Sequence, residues 1–254
     1  MLAVALGLGV LAGCGSSGSK DDPLLRLSAQ EALDEGKVLM ADERYNQARD
    51  YLIHAFEVEP NSAAGREGLL LAADSLFFAG GESRLIEAET RYRDFLNRFP
   101  TSDQASYAQY QIGRTLVGRM AKPNRDQATT REALAAFEDL LRLYPTSPYA
   151  SEVRSDVQVV RAQLAEHEYV VGSFYYRYAC GRRASRVCLA AAQRYEGILE
   201  NFPDYPEKEK VLWGICRVYQ KIPRPEDGVD GCRQLQEQYP DSAFAAKAAK
   251  KKTK

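Results

Sequence analysis

The side chains that could do chemistry here are few. Five cysteines (Cys14, Cys180, Cys188, Cys216, Cys232) and two histidines (His54, His167) are scattered through 254 residues. No two cysteines form a C-x-x-C pair, and none shares zinc-ligand spacing with a histidine. The chain has no glycine-rich phosphate loop, no G-x-S-x-G and no H-E-x-x-H. His167 lies between Glu166 and Glu168, an order that could suit a metal or a base. No second histidine or cysteine is near it in sequence, so a solvated or capping role is expected. Carboxylates are plentiful but fall on surface helix positions, with no sign of a buried pair. Lys+Arg number 34 against 35 Asp+Glu, and such neutrality argues against a nucleic-acid binder. The residues point to no catalytic centre, no metal and no cofactor.

Cys14 is different, because of what precedes it. Residues 1–13 carry no charge and are almost wholly apolar. A bilayer span needs roughly 20 such residues, so the run reads as the apolar part of a secretion signal. It lacks the basic start of such signals, so the natural start is expected further upstream. Leu11-Ala12-Gly13-Cys14 closes the run and Gly15-Ser16-Ser17-Gly18-Ser19 follows. This resembles the lipobox of bacterial lipoproteins, in which the cysteine is acylated and becomes the first mature residue. Several acyl chains, at ~0.8 kcal/mol per buried methylene, would hold a soluble domain on a membrane. Gly15 stands where inner-membrane-retained lipoproteins of enterobacteria often carry Asp, which favours the outer membrane. The expected organisation is a signal over 1–13, a lipidated flexible tether over 14–23, a folded domain over 24–246 and a basic tail over 247–254, read as frayed and solvated.

The folded domain must position whatever this chain uses, and it is repetitive. Prolines recur after similar residues: Val58-Glu59-Pro60, Phe99-Pro100, Tyr144-Pro145, Phe202-Pro203 and Tyr239-Pro240. Twelve residues before each stands Ala48, Ala88, Ala133, Ala191 or Gly228. Four residues after that small position come Leu52, Tyr92, Phe137, Tyr195 and Cys232; seven after it come Ala55, Phe95, Leu140, Ile198 and Leu235. These three positions share one helical face. The small residue admits a partner helix, the larger ones fill the space beside it, and proline stops the helix. A cap should start the next one: Ser147-Pro148 reads as an N-cap with Pro at the first helical position. Ser62, Ser102 and Ser242 share its offset.

The pattern is that of the second helix of a tetratricopeptide repeat, a 34-residue helix–turn–helix. In the first repeat, Gly36, Leu39, Tyr45, Ala48, Leu52, Ala55 and Pro60 stand at the family positions. Proline spacings of 40, 45, 58 and 37 exceed the family period, so extra residues are expected in longer helices or turns, at residues 80–81, 122–127 and 181–186. The expected fold is an all-α superhelical solenoid of about five helix pairs.

With the lipobox, three stretches sharpen the resemblance. Ala108-Gln109-Tyr110-Gln111-Ile112-Gly113, Tyr144-Pro145-Thr146-Ser147-Pro148-Tyr149-Ala150, and Leu164 to Tyr169 followed by Phe174-Tyr175-Tyr176-Arg177 resemble the BamD-type lipoproteins of the outer-membrane β-barrel assembly machinery. The likeness runs from Leu24 to Ala246. It departs at residues 180–188, where the family continues almost directly into the next helix. The resemblance implies a non-catalytic scaffold, lipid-anchored on the periplasmic face of the outer membrane. Its implied partners are the periplasmic domains of the barrel insertase, other lipoproteins of the complex and unfolded barrel precursors. The amino-terminal repeats would take precursor peptides and the carboxy-terminal repeats face the insertase; no peptide-binding residue is assigned. Repeat lipoproteins serving cell-wall synthesis, envelope integrity or pilus assembly share these features and remain an alternative. Phe174-Tyr175-Tyr176 reads as core more readily than as a recognition surface.

Four cysteines remain after Cys14. Outside the cytoplasm thiols can be oxidised. Cys216 and Cys232 flank the last helix-to-helix turn on facing positions, and Cys180 and Cys188 bracket the inserted segment. The pairing 180–188 with 216–232 is therefore expected, beside the alternative of four buried free thiols.

Overall fold

The computed structural model describes residues 23–180, 185–226 and 228–251. The signal, Cys14 and nearly all of the tether lie outside the described residues. A 3-10 turn, Pro23–Arg26, leads into eleven helices: α1 Ala29–Ala41, α2 Tyr45–Val58, α3 Ala63–Ala79, α4 Glu82–Arg98, α5 Ala105–Val117, α6 Ala128–Leu143, α7 Ala150–Ala179, α8 Ser185–Asn201, α9 Lys208–Tyr219, α10 Gly231–Gln238 and α11 Ala243–Lys251. No strand occurs among the described residues. Each helix packs on the next, and α1 also touches α3, α7 touches α9 and α9 touches α11. This is a tetratricopeptide-type solenoid of five antiparallel pairs closed by α11, with the odd-numbered helices forming its inner layer.

The face read from sequence is the buried one. Ala48, Leu52, Ala55, Ala88, Tyr92, Phe95, Ala133, Phe137, Leu140, Ala191, Tyr195 and Ile198 are all sealed from solvent. Each even helix ends two residues before its proline. The residue between has already left the helical region, as at Phe99, Tyr144 and Tyr239, because proline disfavours a helical predecessor. Across the seam, the odd helix supplies the small residue. A Cβ on Gly113 would run into the Phe137 ring, and one on Gly172 or Gly214 into the Tyr195 ring.

Several sequence expectations need correction. In the fifth repeat Gly228 precedes α10 instead of lying on it, and Gly231 makes the close approach, to the Leu212 carbonyl. Ser147 is not the N-cap of α7; Tyr149 is, and the Ser147 hydroxyl accepts from the Tyr149 amide in the turn before it. Ser102 likewise accepts from Gln104, ahead of α5. Ser62 does cap α3, accepting from Gly65 at 2.9 Å. Gly80 and Gly81 hold no insertion: both adopt positive φ and turn α3 directly into α4. The extra length goes into the 122–127 loop and into the 30-residue α7. That helix serves two cores, with Val153 and Val160 in the central cluster and Ala165 in the next. Residues 247–251 are not a frayed tail but the end of α11, where Ala248 is buried against Leu212 and Cys216.

Phe137→Ala removes a fully enclosed ring facing Gly113 and is expected to cost ~3–5 kcal/mol by chemical denaturation. A loss below ~1 kcal/mol, the scale of a surface change, would show that this face is not the core.

Candidate recognition surfaces

Packing small residues against rings leaves polar side chains of the inner helices at the seams. Asp74 of α3 is only 4% exposed. Its Oδ1 accepts from Tyr92 Oη at 2.5 Å and from Tyr107 Oη at 3.0 Å. Gln111 Nε2 donates onward to Tyr107 Oη at 2.7 Å. Burial pushes the Asp74 carboxyl up to about 6, against the two tyrosine hydrogen bonds that favour its ionised form. Burial also raises both tyrosines. The three groups tie α3, α4 and α5 together. Carboxylates expected only at the surface thus include one in the core, and no periodicity could reveal it, because Asp74 simply occupies a core position of α3.

A second cluster continues the track from α5 to α7. Tyr110 and Tyr149 stack with centroids 4.8 Å apart. Tyr110 Oη donates to Glu152 at 2.5 Å and accepts from Arg114 at 2.6 Å. Beside them, the Asp156 Oδ2 atom is buried without a hydrogen-bond partner, and desolvation raises that carboxyl. At the carboxy-terminal end, the Arg217 guanidinium lies over the Tyr176 and Trp213 rings at 4.5 and 5.6 Å, and Trp213 stacks on Phe244. The buried members of these clusters hold the helices together, while the part-exposed Arg114 and Glu152 side chains lie on a solenoid layer of the kind that takes an extended chain or a partner helix.

The two histidines are structural ties. His54 meets the Leu27 carbonyl at 3.2 Å, and His167 meets the Pro123 carbonyl at 2.7 Å, pinning the α5–α6 loop to α7. Of the aromatic triplet, Tyr175 and Tyr176 pack on the core while Phe174 is exposed. The structure pairs Cys180 with Cys188 and Cys216 with Cys232, at Cα separations of 4.8 and 4.6 Å. The first joins the end of α7 to the first turn of α8; the second joins α9 to α10.

A family model described as outer membrane lipoprotein (YfiO) matches residues 26–228, from the 3-10 turn to the approach of α10. The chain belongs to this family. Outer membrane protein assembly factor BamD of Caulobacter vibrioides is 26% identical over 199 residues, 78% of this chain but 60% of that protein's length. The assembly factor BamD of Haemophilus influenzae is 26% identical over 87% of this chain and 82% of its own. Among solved structures, the chain is similar to the TPR2AB domain of yeast Sti1, with a TM-score of 0.46 and 14% identity over 85% of this chain and 80% of that one. The family match covers four of the five helix pairs, including both polar clusters, and stops short of α10 and α11.

Two predictions come from this geometry. Asp74 holds its proton more tightly folded, near 6, than at its ordinary 3.8. Its ionisation therefore erodes stability as pH rises between those values, by on the order of 3 kcal/mol. Asp74→Asn is expected to exceed wild type in stability at neutral pH and to lose that advantage below about pH 4. Denaturation at both pH values measures the difference, and a less stable variant at neutral pH would show the ionised group to be favourable in place. Replacing Cys216 and Cys232 together by Ser is expected to cost ~2–4 kcal/mol, the usual worth of closing such a loop. Mapping of non-reduced peptides reads the pairing directly; recovery of four free thiols from native protein would refute it.

Proposed function

We propose that this chain is a non-catalytic scaffold of outer-membrane protein assembly, held by an acylated Cys14 on the periplasmic face. It binds the periplasmic domains of the barrel insertase and the other lipoproteins of that assembly, and it recruits unfolded barrel precursors. The observation that carries the reading is the family match running through four consecutive helix pairs, together with relatives named as outer membrane protein assembly factors along most of the same chain. The fold supports it physically. Of the polar clusters, Arg114 and Glu152 reach the surface, and with the ring faces of the same layer they can meet an extended segment without enclosing a small substrate. No described helix is long and apolar enough to cross a membrane, so attachment is assigned to the residues before the fold. The inner layer of the first three repeats is assigned to precursor peptides, and the carboxy-terminal repeats to the insertase.

Affinity capture of the natively expressed protein is expected to recover a barrel insertase; recovery of cell-wall synthases or a pilus secretin in its place would overturn the reading. Cys14→Ser is expected to move the protein from the membrane to the soluble fraction. Intact-mass analysis showing an unmodified Cys14 in membrane-bound protein would refute acylation independently of partner choice.

A further inference from the structure

The closed end of the α7–α8 hairpin combines features found together nowhere else on the described surface. On the last turns of α7, Gly172, Tyr175 and Tyr176 face inward, the glycine against Tyr195 and the tyrosines against the α7–α9 core. The opposite face carries Phe174 at 49% and Tyr178 at 62% exposure, their ring centroids 4.4 Å apart. Arg177 is exposed beside them on the same helix. The Cys180–Cys188 pair brings the first turn of α8 alongside, with Arg186 exposed and Val187 43% exposed.

The charged residues of this stretch of sequence are of one sign. Residues 169–195 contain five arginines and no Asp or Glu. Of the acids that bound the stretch, Glu168 accepts from Arg194 at 2.6 Å and so pairs one of these arginines, and Glu196 accepts from Tyr219 Oη and the Val229 amide. Exposed rings and an aliphatic side chain beside the exposed Arg177 and Arg186 match a particular environment. Aromatic bodies settle among headgroups and the glycerol region, and arginines reach phosphates while their stems stay in the apolar boundary. A folded acidic protein would meet the charge but would have to bury the projecting rings in a complementary pocket. A bilayer deforms around them.

We infer that the α7–α8 tip is a contact with an anionic lipid surface, in which Phe174, Tyr178 and Val187 enter the interface and Arg177 and Arg186 meet lipid phosphates. This adds to the acyl anchor a second, weaker attachment at another point of the solenoid. It would fix how the inner layer is presented to the membrane, which a single point of attachment cannot do. The inference goes beyond the assembly reading, and its test needs neither the acyl group nor any partner.

The test is co-sedimentation of the mature chain from residue 14, carrying Cys14→Ser and without the apolar residues 1–13, with vesicles of phosphatidylcholine containing phosphatidylglycerol, against phosphatidylcholine alone. Binding is expected only to the anionic vesicles and is expected to fall with added salt. Each basic residue near such a surface contributes about 1 kcal/mol. The pair Arg177→Glu and Arg186→Glu is therefore expected to weaken binding by ~10–100-fold. Phe174→Ser with Tyr178→Ser is expected to weaken it by ~10-fold. All four positions are exposed, and an unchanged thermal midpoint verifies the fold of each variant. Lys252→Gln with Lys254→Gln, which alters charge outside the tip, is expected to leave binding intact. Equal sedimentation with both vesicle types, tip variants that bind like the parent, or loss of binding with the lysine pair would each overturn the inference. So would a chain that ignores both vesicles while its tip crosslinks to an acidic protein.

Discussion

Helices of 8 to 17 residues, the length of all but α7, are marginal in water on their own. Each must bury a face. Two antiparallel helices can do so only where one offers a residue small enough to admit a large side chain of the other. That contact recurs along the chain, as Gly36 against Leu52, Gly113 against Phe137, and Gly172 with Gly214 around Tyr195. The last case shows how a solenoid propagates. One ring is clasped by glycines from α7 and α9, so the same side chain closes its own pair and seats the next. The clusters overlap in the same way, with Leu199 and Val229 packed against both of the last two. No helix pair here has a private core.

That dependence explains what could be read from the sequence. A small residue, a large one four further on, an apolar one at seven and a proline at twelve form a local pattern with a direct steric meaning. It exposed the even helices and their ends. The odd helices carry no such stop signal. Their lengths follow from what lies across the seam, so α7 grew to span two clusters without a periodic mark in its own residues. Caps were legible where hydroxyl and helix were adjacent, as at Ser62, and misleading where a turn came between, as at Ser147. The cysteine pairs could be proposed because both partners flank one turn. The Asp74 network could not, because its members lie 18 and 33 residues apart on three different helices.

Asp74 also shows that the seams are not built for stability alone. An apolar side chain in place of Asp74, with the two tyrosines as phenylalanines, would fill this site without a buried charge, whereas a buried carboxylate must be held by hydrogen bonds. What the carboxylate supplies is direction. Oδ1 collects hydroxyls from Tyr92 and Tyr107, and each must sit at its own angle and height. Apolar contacts between helices tolerate sliding; a doubly bonded oxygen does not. The group therefore sets the register of the second repeat against the third, where the polar track of the inner layer begins.

The carboxy-terminal end meets the same requirement by other means. The helix α10 has 8 residues, about two turns, and presents only Gly231 and Leu235 as buried positions. So short a helix buries too little to fix its own place. The contact of Gly231 with the Leu212 carbonyl and the link from Cys216 to Cys232 hold it to α9. The last helix, α11, then covers the exposed side of that pair with Ala245 and Ala248. Small residues, a covalent staple and a closing helix substitute for the long apolar face that earlier repeats possess. The inner-layer rings Trp213 and Phe244 are carried on α9 and α11. Their alignment thus depends on the part of the solenoid with the least apolar burial of its own.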